Sequence, residues 1–519
     1  MRLKYKKDMS MQSIIMSRRE WATWFMSTMK ASFWEKQGVK KTLKRFQEVA
    51  NRVPAYKKIL QEHNINSADI TTIEAYKKLP ILDKKNYLKK YDIEELCLDG
   101  KLSDKYLIDR SSGYSGTSFF WPRLAEEDKD YPTYMKLAYE QFYQIHEKST
   151  LMVITLALGT WVGGEKISWA TREIALRGNN PFTVITPGLD LEEILAIVDY
   201  FKSKFDQIVL VGYPPFIKTV IDQGQKRGID WKSLNIKIGL GGEGYSENWR
   251  EYIRDKIGLP KNDLMGIAGG YGAADVGMSV GREYPITVLI RKLANINHEL
   301  AVELFGEGGI PSLCQYNPAT YFIEGMNGEL VFSVLTGTPL IRYNIHDRGG
   351  TIPFESALAK CKKHGYNVIE MLVEKGYTSK DIWRLPLFYV NGRTDGTVII
   401  DGTNVYPDNI ESAFYGPDGH KINSFKLEIR QDATYNESLW INLELKKGVK
   451  LLKSNEADSL CKTLQNSILQ ALLLSNHDYC DAYKRNAVVC KPCVEIHEFG
   501  EGPFRDDKNK IKIDYIYKN

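Results

Sequence analysis

The chain has 519 residues, 43% hydrophobic and 26% charged, with a formal net charge of +5. That length exceeds one hydrophobic core, so two or more domains are expected. So even a balance excludes the concentrated basic face of a nucleic-acid binder, and seven scattered cysteines exclude a disulfide framework.

In chain order, the opening "MRLKYKKDMSMQSIIMSRRE" is basic but lacks the apolar core of a secretory signal. The most apolar run, "LMVITLALGTWVGG" from Leu151, falls short of the about 20 residues that span a bilayer. A cytoplasmic protein without a membrane partner is expected. "KKTLKRFQEVANRVPAYKKILQEHNI" has helical periodicity and stops at an asparagine-rich turn. Beyond Lys105, the strand-like "LMVITLAL", "FTVIT", "QIVLVGY" and "IKIGLGG" alternate with the helical "DLEEILAIVDYFKSKF" and "PPFIKTVIDQGQKRG". That alternation predicts an α/β domain with mixed or largely parallel sheets.

From Gly325 the pattern turns to β, in "GELVFSVLT", "TPLIRYNIHD" and "GTVIIDGTNVYP". After Asp395 a smaller α+β unit is expected, with the strand pair "INSFKLEIRQ" and "SLWINLELKK", a helix in "SLCKTLQNSILQALL" and a strand in "NAVVCKPCVEIHEF". The predicted domains are 1–394 and 395–519. Cys490 and Cys493 form a lone C-x-x-C with His497 nearby, read as ordinary thiols in preference to a zinc site.

Five glycine-containing turns follow strand-like runs. "SSGYSGT" (Ser111–Thr117) permits positive φ, so backbone N–H groups can converge on an anion. Alone it reads as a Ser/Gly turn between hairpin strands, and no G-K-[ST] follows it. "GLGGEGYSENW" ends a strand and starts a helix with Ser246 as the cap. "GGYGAADVG" brings Tyr271 and Asp275 to the end of an apolar segment, and ligands in α/β sheets lie at such ends. "YNIHDRGG" places Asp347 after a strand, and "NGRTDG" forms a turn at the domain junction.

In this order the motifs resemble the adenylate-forming superfamily of acyl-CoA synthetases, adenylation domains and luciferases, and within it the phenylacetate–CoA ligase-like branch. The resemblance runs from about Lys41 to Asp514. "VPAYKKIL" and "KLPILDKKNYL" are similar to that branch's helical lead-in, "LGTWVGGEK" to its substrate loop and "DDKNKIKID" to the segment bearing a mobile lysine. Thr117 stands where a lysine is frequent, Asp275 where the family has Glu, Ala274 where it has Thr and Asp507 where it has Gly.

The resemblance implies a large N-terminal domain, a small mobile C-terminal domain, and ATP-dependent conversion of a carboxylic acid to acyl-AMP with CoA as the acceptor. Transfer to a carrier protein or an amine, or a non-catalytic nucleotide-binding role, stays open. It implies nucleotide contacts from Ser111, Ser112, Gly113, Ser115, Gly116, Thr117, Gly241, Gly242, Glu243, Gly270, Tyr271, Gly272, Ala273, Ala274, Asp347 and Arg393. Asp275 would bind Mg²⁺ and act in catalysis with Lys508, which competes with Lys510 and Lys512 and is preferred for its spacing to Asp514. Trp161, Gly163, Gly164, Tyr213 and Gly269 would hold the acid, aryl or hydrophobic by the flat surfaces on offer. Asp395 would be the hinge. A homodimer stays open, and no nucleic-acid partner is expected.

Overall fold

The computed structural model describes residues 19–110, 119–159, 161–306, 310–393, 397–415, 418–449 and 454–507. They divide into two compact units, one within 19–110 and 120–392 and one comprising Phe119 and residues within 393–507.

The first unit opens on the helices Arg19–Thr28, Ala31–Arg52 and Pro54–Glu62. The single periodic run expected here breaks at Val53, which is extended at φ −97 and ψ 112. A residue before proline is pushed out of the helical region, and proline starts the next helix well. This lead-in is fastened to the sheet by a backbone rung. The Leu82 N–H donates to the Arg342 carbonyl at 2.9 Å, and the Asn344 N–H donates to the Leu82 carbonyl at 2.7 Å. The Tyr76 hydroxyl also meets Ser333 Oγ at 2.5 Å, across 257 residues of sequence.

A short antiparallel hairpin joins β1 (Leu107–Arg110) to β2 (Phe120–Arg123). Among the described residues the main sheet has 11 strands. Its first half is β3 (Thr150–Thr155), β4 (Phe182–Ile185), β5 (Gln207–Gly212), β6 (Ile236–Leu240) and β7 (Ile267–Ala273), all parallel. Every residue of β3 and β5 is buried, as unbroken apolar runs covered by crossover helices must be. The expected helices lie at Leu191–Phe201 and Pro214–Lys226.

The second half is β8 (Gly277–Arg282), β9 (Ser312–Tyr316), β10 (Phe322–Met326), β11 (Glu329–Val334), β12 (Leu340–Ile352) and β13 (Leu387–Arg393). The full order is β10-β11-β12-β13-β9-β8-β7-β6-β5-β3-β4. Between β12 and β13 the helices Phe354–Lys363 and Val368–Glu374 bury Phe354, Ala357, Cys361, Val368 and Leu372 in a core shared with the helix Pro285–Ile296.

The second unit holds the hairpin β14 (Val398–Ile400) and β15 (Thr403–Val405), and a sheet of β16 (Ile422–Gln431), β17 (Glu437–Leu445) and β18 (Cys493–His497). The helix Ser454–Ser475 contributes Leu464, Ile468 and Leu472 to a core with Leu427, Ile441 and Leu443. The strand expected over "NAVVCKPCVEIHEF" is shorter than its apolar run: Ala487–Cys490 is a helical turn and β18 begins at Cys493. Asn486 accounts for the turn, its side chain accepting the Val489 N–H at 3.4 Å as a cap does. Cys490 is buried and Cys493 half-buried, and neither is in a disulfide. Among the described residues no helix is long and apolar enough to cross a membrane.

Candidate active site

The parallel strands deliver the predicted residues to one edge. β3 leads to Trp161, Gly163 and Gly164, β5 to Tyr213, β6 to Gly241–Glu243, and β7 contains Gly269–Ala273 and ends before Ala274 and Asp275. This is the carboxyl edge, where an α/β sheet offers backbone groups and loop side chains to a ligand. The elements are close-set: a Cβ on Gly242 would sit 3.7 Å from the Tyr213 Cβ, and one on Gly163 would sit 3.3 Å from the Met278 Cε. Tyr213 is buried and its ring stacks on Phe216 at 5.7 Å. Ser246 caps the helix Glu247–Ile257 as expected, accepting the Trp249 N–H at 3.1 Å.

Tyr271 and Asp347 meet. The tyrosine hydroxyl donates to Asp347 Oδ2 at 2.5 Å, and the half-buried ring is backed by the buried Phe332 (6.2 Å, nearly parallel) and Phe388 (5.4 Å, edge-on). Asp347 reaches this position through a bulge. Glu329 pairs with Arg348 but Val331 pairs with Asn344, so β12 spends extra residues opposite β11. His346 has φ 65, and its N–H is taken by Asn344 Oδ1 at 2.7 Å. Bulges re-aim side chains in this way. A second bulge lies in β8, where Tyr271 faces Gly281 but Ala273 faces Gly277. There Ser279 has φ 63 and its hydroxyl lies 3.1 Å from the Tyr131 hydroxyl.

Asp275 is half-buried and accepts the Tyr343 hydroxyl at 2.8 Å. Tyr343 and Asp347 are four positions apart on β12, so a single strand serves both carboxylates. Arg123, which the sequence reading passed over, ties in the hairpin. Its side chain is 1% exposed, binds Asp109 at 2.6 Å and donates to the Ala274 carbonyl at 2.8 Å. The strands that flank residues 111–118 are thereby locked to the turn that carries Asp275. Gly337 closes the same corner, for a Cβ there would strike the Pro122 carbonyl.

Behind β7 lies a sealed ionic cluster, also unforeseen. Glu283 receives Arg250 and Arg291 at 2.6 Å each, the Tyr245 hydroxyl at 2.5 Å and the Gly269 N–H at 2.7 Å. Arg250 also donates to the Ile267 carbonyl at 2.7 Å, and Arg291 to the Tyr245 carbonyl at 2.7 Å. Burial alone would raise the Glu283 carboxyl, but the two guanidiniums outweigh it and hold it at about 2. One carboxylate thus joins the Gly241–Tyr245 turn to the Gly269–Tyr271 strand. Glu127 behaves in the opposite way: burial outweighs Arg123 and Lys166 and pushes its carboxyl up to about 7.

Arg342, flanking Asp347, is structural; it binds Glu324 at 3.0 Å and the Lys77 and Leu79 carbonyls. His346 is within 3.8 Å of Asp83 and 3.6 Å of Glu329. Arg393 closes β13, and its side chain lies outside the described residues. Ser111, Ser112, Gly113, Ser115, Gly116, Thr117, Asp395 and Lys508 lie outside them too, as do Lys510 and Lys512.

A single carboxylate beside nucleotide-sized turns matches the habit of Mg²⁺, which takes one or two protein carboxylates together with substrate phosphates and water. Among the described residues no group of three or more His, Cys, Asp or Glu forms a protein-only metal cage. Asp275 therefore fits a nucleotide-borne metal ion.

No family model matches the chain. It is 20% identical over 422 residues to phenylacetate-coenzyme A ligase of Aromatoleum evansii, covering 80% of this chain and 83% of that one. The same enzyme of Escherichia coli strain K12 is 20% identical over 445 residues, covering 83% and 86%. Among solved structures, 2-hydroxyisobutyryl-CoA ligase in complex with 2-HIB-AMP and CoA in the thioesterification state superposes with a TM-score of 0.60 at 13% identity, over 94% of this chain and 90% of that one. An open conformation of that ligase gives a TM-score of 0.51 at 12% identity, over 95% and 93%. At such identities the superpositions establish the fold.

Proposed function

We propose that this chain, a distant relative of the phenylacetate–coenzyme A ligases with the adenylate-forming fold, activates a carboxylic acid with ATP and passes the acyl group to coenzyme A. The observation that carries the reading is the Tyr271–Asp347 pair, set beside the glycine turns at the carboxyl edge of the parallel strands.

A carboxylate is a poor electrophile at neutral pH. Attack of its oxygen on the α-phosphorus of ATP expels pyrophosphate and makes the acyl carbon reactive; a thiolate then displaces AMP. Both steps need developing charge to be met by fixed donors and cations, not a covalent enzyme intermediate. The Tyr271 ring and the Gly241–Glu243 turn frame the adenine, with Gly270, Gly272, Ala273 and Ala274 lining its approach. Asp347, oriented by the Tyr271 hydroxyl, accepts the ribose hydroxyls. Ser111–Thr117 cradles the phosphates. A Mg²⁺ ion held by Asp275 would neutralise phosphate charge. Lys508 would neutralise the charge that develops as the acid attacks the α-phosphate, and Asp395 would be the hinge. Trp161, Gly163, Gly164, Tyr213 and Gly269 bound the acid site, which suits an aryl or hydrophobic acid.

The test is pyrophosphate release from ATP with a panel of aryl and aliphatic acids, with and without CoA. Acid-dependent release and CoA-dependent thioester are expected. Release without thioester redirects the acyl group to a carrier or amine. ATP binding without release for any acid overturns the enzymatic reading.

A further inference from the structure

The sheet of the second unit has a buried polar face. Leu427, Ile441 and Leu443 point into the core, so their neighbours Lys426, Glu428, Asn442 and Glu444 point the other way. These four are only 0–6% exposed, although the outer face of an antiparallel pair is normally solvated. The chain after β18 turns back over Lys426 and Glu444, while Glu428 is met by Asn442 and Arg430.

The cover is attached at several points. The Lys426 ammonium donates to the Pro503 carbonyl at 2.9 Å and lies 5.4 Å from the centre of the Phe504 ring. The Gly500 N–H donates to Glu444 Oε1 at 2.9 Å. Phe504 is 1% exposed and packs against the His497 ring at 6.0 Å, while His497 Nε2 lies 3.0 Å from Asn442 Oδ1. Gly502 sits at φ +55 against that imidazole, where a Cβ would collide with Nδ1. A glycine is required there both for the backbone and for the space.

We propose that residues 498–505 are a positioning strap for the first half-reaction: by binding Lys426, Glu444 and His497 they set the point from which the lysine-bearing segment departs. The strap ends in the turn Gly502–Asp507, next in sequence to Lys508. Lys508 is four positions on from Phe504, a reach of at most about 14 Å, so the anchor bounds where the lysine can go. A buried lysine and glutamate cost free energy unless paired; here they are paired with backbone of the strap, which fixes its register on the sheet. The proposal rests on the reading of Lys508 given above.

The experiment measures the two half-reactions separately in Gly502→Ala, Lys426→Met and Lys426→Arg. In the first two, acyl-AMP formation is expected to fall at least about tenfold, as ångström-scale misplacement of a catalytic group does. Thioester formation from supplied acyl-AMP and CoA should stay within about twofold of wild type, because the lysine serves only the first step. Lys426→Arg, which still donates to a carbonyl, should recover acyl-AMP formation. Full acyl-AMP formation in both variants, or a parallel loss of both half-reactions, overturns the strap. Lys508→Ala, run alongside, separates the two ideas. Wild-type acyl-AMP formation in it overturns the lysine assignment, whereas loss there with full activity in Gly502→Ala and Lys426→Met overturns the strap alone.

Discussion

Glu283 in the first unit and Glu428 in the second are both buried and both receive an arginine, yet their surroundings differ in kind. Around Glu283 everything is closed: Arg250 and Arg291 are 0% exposed and the carboxylate 2%. Around Glu428 the arginine is open, for Arg430 is 30% exposed, lies over the Trp440 ring at 3.9 Å and divides itself between Glu428 and the 41%-exposed Glu495, both at 2.8 Å. In the closed cluster no solvent can replace a lost partner, so charge is committed to holding β7 against the Tyr245 turn. In the open one water reaches Arg430 and Glu495, and the buried Glu428 is held by Arg430 and by the Asn442 side chain at 2.9 Å.

The sharpest break of that comparison is Glu283→Ala. Removing one member of a sealed ion cluster leaves two guanidiniums to share the buried Glu247, at 3.0 and 3.3 Å, and costs about 3–5 kcal/mol, to be read by chemical denaturation. A loss below about 1 kcal/mol would mean that water reaches the cluster. The pH dependence follows from the depressed carboxyl. Glu283 contributes stability that is complete above its ordinary value near 4.5 and is lost as pH falls through about 2.

Asp347→Ala tests the open edge of the same unit. Loss of a carboxylate to ribose hydroxyl bond should weaken ATP binding by about 1.5–3 kcal/mol, measured by calorimetry. An affinity within about twofold of wild type (roughly 0.4 kcal/mol) would remove the ribose role.

Glu127 sharpens the comparison from the opposite sign. Its carboxyl is raised to about 7, so the folded state holds a proton that the unfolded state releases, and stability falls as pH rises from 4.5 to about 7. Glu127→Gln should flatten that slope, gaining at most about 3 kcal/mol above neutrality. A slope that survives the substitution assigns the titration elsewhere.

The smallest effect belongs to the second unit. Glu495→Gln removes an exposed partner of Arg430 and should change stability by less than about 1 kcal/mol. A loss as large as that of Glu283→Ala would erase the distinction between the clusters.

What was legible in the sequence is what depends on near neighbours. β3, β5 and β6 stand out because their burial makes short continuous or alternating apolar runs, and the glycine turns mark the carboxyl edge because tight turns select glycine. The break at Val53 needed only Pro54 to be given its weight. The bulges that aim Asp347 and bend β8 were not legible, since a bulge is defined by the register of a partner strand. Arg123, Tyr343 and Glu283 were missed for a related reason. Arg123 reaches Ala274 across 151 residues and Tyr343 reaches Asp275 across 68, and nothing local signals either pairing.

The rung between Leu82 and β12 has a consequence for how the protein is made. During synthesis the helices of the lead-in emerge long before the strand that receives them. At about 5–20 residues per second, the 257 residues between Tyr76 and Ser333 take on the order of 13–50 s to leave the ribosome. For that interval the lead-in lacks the β11 and β12 partners that later receive it. Release of the chain before residue 344 would leave it without its β12 rung.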